Sequence, residues 1–225
     1  MFKKIKICYI ISSLANEGPV NVLYNIIKYL DFDRFNAFVV TLVPEKQNSR
    51  LSDFKEFPIE LIQLAPSGPL TPINLVKYLL KEVNQINPEL IHAHCPRSLI
   101  LMSLFGRKYK KSYTAHIYPG LQQKVLYGKI KGSLIIRICN FLMLKTDLPI
   151  ACSNSVSQQF KDLNGWNIKA IDNGCSLPIW ERNLEEKNII RERLGLKKDV
   201  KYFIFIGRFS KEKKPDFIIE TFRKI

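Results

Sequence analysis

The stretch IKICYIISSLANEGPVNVLYNIIKYL, residues 5–30, decides how the chain folds. Ile5–Ile11 is an apolar run too short for a helix, and Val20, Leu23, Tyr24, Ile27 and Leu30 then recur at helical spacing. Strand, loop and helix in that order make one β–α unit. The first residues also have the lysines and apolar stretch with which a signal peptide begins. Lys6 interrupts that run and the helical pattern follows at once, so a buried first strand is the better reading.

The same unit recurs along the chain. Residues 38–43 and 59–64 read as strands. In TPINLVKYLLKEV, Thr71 is placed to cap a helix, Pro72 opens its first turn, and Val76, Leu79, Leu80 and Val83 form its apolar stripe. Asn87 and Pro88 end it. ELIHAHC (89–95) is the next strand, SLILMSLFG (98–106) a short helix, and KSYTAHI (111–117) a strand that enters the loop IYPG. A long helical region over 121–144 follows, then the strand LPIAC (148–152), a helix with Val156, Phe160 and Leu163 on one face, and the strand NIKAID (167–172). Apolar strands separated by amphipathic helices predict an α/β fold: a Rossmann-like parallel sheet with helices on both faces.

Residues 179–201 are rich in charge and poor in core signal, which suits a linker with one exposed helix. They separate a first domain, 1–178, from residues 202–225. There a strand at 202–206 and a helix at 215–225, with Ile218, Thr221, Phe222 and Ile225 on one face, start a second β–α domain that is left incomplete. One strand and one helix cannot bury their apolar faces without neighbours.

With 225 residues, 46% hydrophobic and 24% charged, the chain is globular in composition and long enough for one large domain or one and a half. A net charge of +15 attracts polyanions: nucleic acid, an anionic membrane surface, or nucleotide and lipid phosphates. The basic residues are spread through the chain and match no nucleic-acid-binding motif, so nucleic acid is not an expected partner. Five cysteines without a C-x-x-C pair indicate neither a disulfide framework nor a zinc ribbon, and fit a reducing cytoplasm. No stretch reaches the roughly 18 uninterrupted apolar residues of a spanning helix, so any membrane contact is expected to be peripheral.

In open parallel sheets, ligands bind at the carboxyl ends of the strands. After the first strand comes SSLANEGPVN, whose Gly18 allows close backbone approach at a helix start; it is not the G-x-G-x-x-G dinucleotide fingerprint. HAHCPRS follows the fourth strand and puts His92 and His94 on one strand face, for packing, substrate hydrogen bonding or a metal. No third metal ligand is positioned by the sequence, so no metal is expected. TAHIYPG puts His116 at a strand end, where an imidazole hydrogen-bonds a ligand hydroxyl or shuttles a proton. Asn173-Gly174 is a turn former. In GRFSKEKKP (207–215), Arg208, Lys211, Lys213 and Lys214 crowd a strand-to-helix loop. Cations there repel the positive helix end by a few tenths to ~1 kcal/mol each, which a bound anion would relieve. A solvated charged turn is the other reading.

Taken together and in this order, the motifs resemble the retaining glycosyltransferases of family four, which have the GT-B fold of two facing Rossmann-like domains. The resemblance runs through EGPVNVLYNIIKYL, PELIHAHCPRS, SYTAHIYPG, IACSNSVSQQF, AIDNGCSLP and FIFIGRFSKEKKP. It implies the N-terminal half of a GT-B architecture, with the acceptor side in residues 1–178 and an incomplete donor-binding domain in 202–225. Arg208 and Lys213, in the G-R-x-x-x-x-K loop, would hold the diphosphate of a UDP- or GDP-sugar. His116 would be the catalytic histidine near the donor sugar, and Gly18 would face the phosphates. His94 and Asn173 are the candidate acceptor or cleft residues. The reaction would transfer a sugar to a saccharide or lipid-linked hydroxyl acceptor, with retention and without metal or cofactor, in bacterial-type surface polysaccharide synthesis. The basic, aromatic-bearing stretches 107–113 and 124–145 suit a lipid-linked acceptor at the inner face of the plasma membrane.

The sequence departs from the family at Pro19 and Lys214, where many members carry glycine. Members also continue for roughly another domain of ~100–150 residues. The chain therefore reads as a truncated transferase, or alternatively as a non-catalytic remnant that binds acceptor, partner or membrane. A sugar-nucleotide epimerase of the same two-domain fold is the nearest enzymatic rival.

Overall fold

The apolar alternation of β1 (Ile5–Ile11) explains the architecture around it. Cys8 and Ile10 point into one core and Ile7, Tyr9 and Ile11 into another, and all five are buried. A strand buried on both sides must be central and covered by helices on each face. In the computed structural model, which describes residues 3–120, 123–124, 128–175, 184–197, 200–207, 209 and 213–224, it is.

The strands β1, β2 (Phe35–Thr41), β3 (Glu60–Gln63), β4 (Leu90–Ala93), β5 (Lys110–Ala115), β6 (Leu148–Ala151) and β7 (Lys169–Ala170) form one parallel sheet in the order β3-β2-β1-β4-β5-β6-β7. On one face, α1 (Gly18–Lys28) buries Val20, Leu23 and Ile27 beside Phe54 of the single-turn α2 (Leu51–Phe54). On the other lie α3 (Pro72–Ile86), α4 (Pro96–Met102), α5 (Lys129–Met143) and α6 (Asn154–Asn164). The α/β, Rossmann-like class expected from the sequence is the class observed.

Caps follow the local chemistry. The Thr71 hydroxyl accepts from the Asn74 N–H at 3.3 Å, and α3 closes at Asn87, whose φ of 47° is the left-handed conformation that asparagine tolerates. Replacing Thr71 by alanine is expected to remove about 1 kcal/mol of stability, read as a lower urea midpoint at unchanged slope.

Three expectations shift. The region 121–144 is not one described helix: Gln123 and Lys124 are helical, Gly128 is not, and α5 then runs over Lys129–Met143, while residues 121, 122 and 125–127 lie outside the described ones. A Cβ on Gly132 would stand 2.6 Å from the backbone of Gln123 and Lys124, so glycine lets that segment cross α5 closely. Leu163, expected on the buried face of α6, is 65% exposed. The helix ends one residue later, Gly165 turns left-handed at φ 71°, and Trp166 comes back to stack on Phe160 in its place.

The chain divides into two units, 1–176 and 177–225. The second contains α7 (Leu184–Arg193) and α8 (Pro215–Phe222). The strand expected at 202–206 is not formed: no described residue pairs with it, and Phe203, Ile204 and Ile206 are exposed, with Phe203 resting on the Phe222 ring at 5.1 Å. A strand exists only with a ladder partner, which its apolar pattern does not supply.

Candidate functional site

Strand order reverses between β1 and β4, because the chain builds outward to β3 on one side and to β7 on the other. In sheets of this kind a crevice opens outside the carboxyl ends of the strands at that point. The loops after β1, β4 and β5 deliver Ser12, His94, Cys95 and His116 to it. Ser12 Oγ and Cys95 Sγ lie 3.0 Å apart, and Cys95 with Ser98 forms the reciprocal N-terminal cap of α4.

The three histidines of unit 1 form a row. His92 and His94 rings lie 4.3 Å apart, as expected of residues on one strand face, and His94 and His116 rings 5.5 Å. His92 Nε2 pairs with the Thr114 hydroxyl at 2.8 Å, and His94 Nδ1 with His116 Nε2 at 3.3 Å. Burial pushes the pKa of His92 and His116 down to about 4, and holds His94 well below its ordinary value, with repulsion from neighbouring imidazoles adding to the fall for His92 and His94. At neutral pH all three are uncharged, so each ring has one donor and one acceptor nitrogen. His94 Nε2 is buried without a hydrogen-bond partner. His116 thus bonds His94 through Nε2, and among the described residues none hydrogen-bonds its Nδ1. Among the described residues, no group of three His, Cys, Asp or Glu is arranged to hold a metal.

The β1–α1 loop is braced by residues without a sequence signature. The Glu45 carboxylate accepts from Leu14 N–H at 2.9 and 3.1 Å and from Ser49 Oγ at 2.6 Å, while Arg50 N–H donates to Leu14 O at 2.8 Å. Gly18 opens α1, and a Cβ added there would meet nothing within 4 Å, so the space above the helix start is clear. Replacing Glu45 by alanine is expected to cost about 1–3 kcal/mol and to speed amide hydrogen exchange at Leu14.

Asn173 follows β7, its N–H donating to Cys152 O at 3.2 Å. Gly174 O accepts from Asn25 Nδ2 at 2.8 Å, which ties this turn to α1. Lys213 is an exposed turn residue of the second unit, and Arg208 lies outside the described residues. Lys214 has a φ of 44°, the left-handed conformation that the family's more frequent glycine enters without cost.

The family model for glycosyltransferase family 4 matches residues 17–177, which run from the start of α1 through β7 and include the loops that bear His94, Cys95, His116 and Asn173. The chain belongs to glycosyltransferase family 4. No curated protein matches it by sequence. Among solved structures, it resembles Anabaena Alr3699/HepE in complex with UDP, with a TM-score of 0.63, 21% identity and coverage of 85% of this chain and 50% of that one. The same protein in complex with UDP-glucose gives a TM-score of 0.62 at 21% identity, with the same coverage. Sucrose-phosphate synthase from Thermosynechococcus elongatus gives a TM-score of 0.69 at 14% identity, covering 99% of this chain and 60% of that one. At these identities the likeness establishes a shared fold. This family-4 chain spans 50–60% of the length of those proteins.

Proposed function

We propose that this family-4 chain takes part in transferring a sugar from a UDP- or GDP-sugar to a hydroxyl acceptor, with retention of anomeric configuration. The observation that carries the reading is the neutral His94–His116 pair at the carboxyl ends of β4 and β5, beside the strand-order reversal. A neutral imidazole there can orient a donor-sugar hydroxyl without bringing charge to the reacting carbon. Arg208 and Lys213, in residues that begin the donor-binding domain, would take the diphosphate and stabilise the negative charge it acquires on leaving. Gly18 and Asn173 border the cleft.

The acceptor in this reading is a saccharide, lipid-linked and presented at an anionic membrane surface in polysaccharide synthesis. Support comes from α5, whose buried Gly132, Cys139 and Met143 lie opposite Ile130, Leu134 and Phe141, which are 87%, 58% and 59% exposed. Residues 128–145 contain four cations and no carboxylate. Such a face suits peripheral attachment. Among the described residues, no helix is long and apolar enough to cross a membrane.

Incubation of the intact chain with radiolabelled UDP- and GDP-sugars and a membrane lipid extract tests the reading. Label should pass to the lipid phase with wild type and not with His116→Ala; equal transfer by that variant would refute the role of His116. Co-sedimentation with anionic vesicles at low salt should be lost in Leu134→Glu/Phe141→Glu, and unchanged sedimentation would remove the membrane component. A non-catalytic acceptor- or membrane-binding role is the second reading. It is favoured by the exposed apolar residues of α5 in a segment that carries cations and no carboxylate.

A further inference from the structure

A cleft of about 730 Å³ opens within the first unit, between the segments that follow β2 and β3 and the helices α3, α4 and α5. Its walls include Leu42, Leu70, Val76, Ile100, Leu101 and Ile135. The polar groups among the lining residues are few. Gln123 is buried and already accepts from Gly120 N–H at 2.8 Å, and Arg97 makes no hydrogen bond or ion pair with any described residue. Among the described residues, no carboxylate lines the cleft.

This lining discriminates between acceptor classes. A saccharide in such a space would leave most hydroxyls desolvated and unpaired, whereas a hydrocarbon chain loses nothing and gains burial. Arg97, on the wall and without a hydrogen-bond or ion-pair partner among the described residues, supplies charge complementary to a phosphate on the same molecule. We propose that the cleft holds the hydrocarbon chain of a phosphate-bearing membrane lipid that serves as the acceptor's anchor, with its phosphate on Arg97. The word acceptor rests on the transferase reading; the cleft and its occupant do not.

Calorimetric titration of the intact chain with alkyl phosphates of increasing length, kept below their micelle concentrations, tests this. Affinity should rise roughly four-fold per added methylene until the cleft is full. Ile100→Glu, at a position 40% exposed and therefore compatible with folding, should abolish that rise, and Val76→Glu on the α3 wall should do the same. Arg97→Ala should weaken dodecyl phosphate at least ten-fold and leave dodecyl maltoside unchanged. Affinity independent of chain length, inorganic phosphate binding as tightly as dodecyl phosphate, or binding indifferent to both glutamate variants would overturn the proposal. Alkyl phosphate binding in a chain that binds no nucleotide-sugar would support the cleft and sink the transferase reading. The reverse pattern would sink the cleft alone.

Discussion

Lowering the pH from 6.5 to 4 is expected to strip about 3 kcal/mol of stability for each of His92 and His116. Their folded-state pKa values, about 4, lie below the ordinary 6.5 because burial opposes the charged ring. Above 6.5 both states are neutral and the histidines contribute no pH dependence. Between 6.5 and 4 the unfolded chain binds protons that the folded chain refuses, so stability falls as pH falls, and below 4 the difference is constant. His94 adds a loss of the same sign. Glu89 and Asp147, whose carboxylates are held low mainly by the N–H groups of Lys6 and Lys111, also lose stability on acidification, but below their ordinary 4.5 and 3.8. The decline above pH 4.5 therefore belongs to the histidines. Against a typical total of about 5–15 kcal/mol it is a large fraction of the domain's stability. Urea unfolding at stepped pH reads it directly. His92→Gln, which can keep the bond to Thr114, should flatten the decline by the His92 share. A wild-type stability that is level from pH 7 to 4.5 would contradict the buried, neutral row.

The second large effect concerns the basic loop. If Arg208 and Lys213 hold the donor diphosphate, each supplies a charge-assisted hydrogen bond worth about 1.5–3 kcal/mol. Arg208→Ala and Lys213→Ala should each weaken UDP- or GDP-sugar binding by roughly 10- to 150-fold. Arg208→Lys should recover only part of the loss, because a point charge cannot reproduce the guanidinium fork, whereas Lys213→Arg should recover more. Alanine substitution of Lys3, exposed and remote in sequence from the loop, controls for net charge. Donor affinity that survives both loop substitutions would remove these residues from the site.

The sheet could be read from residues whose burial pattern is local. Ile5–Ile11 is apolar at every position but Lys6, and it is the central strand; Thr71, Pro72 and Asn87 mark α3 to the residue. The pairing of His94 with His116 could not be read, because the two meet only when β4 and β5 align in register, His92 beside Ser112. Glu45 had no signature either. It braces the β1–α1 loop across a gap of 31 residues, which a spacing argument cannot see. The strand pattern at 202–206 misled for the opposite reason: alternation and bulk describe what a segment can do, and a partner decides whether it does.

The measurement that bears most directly on the whole account is a histidine-ring nitrogen–proton NMR titration of the intact chain with UDP- and GDP-sugars. The His116 ring should show a saturable shift with at least one donor, transmitted in part to His94 through their shared hydrogen bond. The His92 ring, engaged with Thr114, should move least. His116 and His94 resonances that stay fixed at millimolar concentrations of every donor would contradict it.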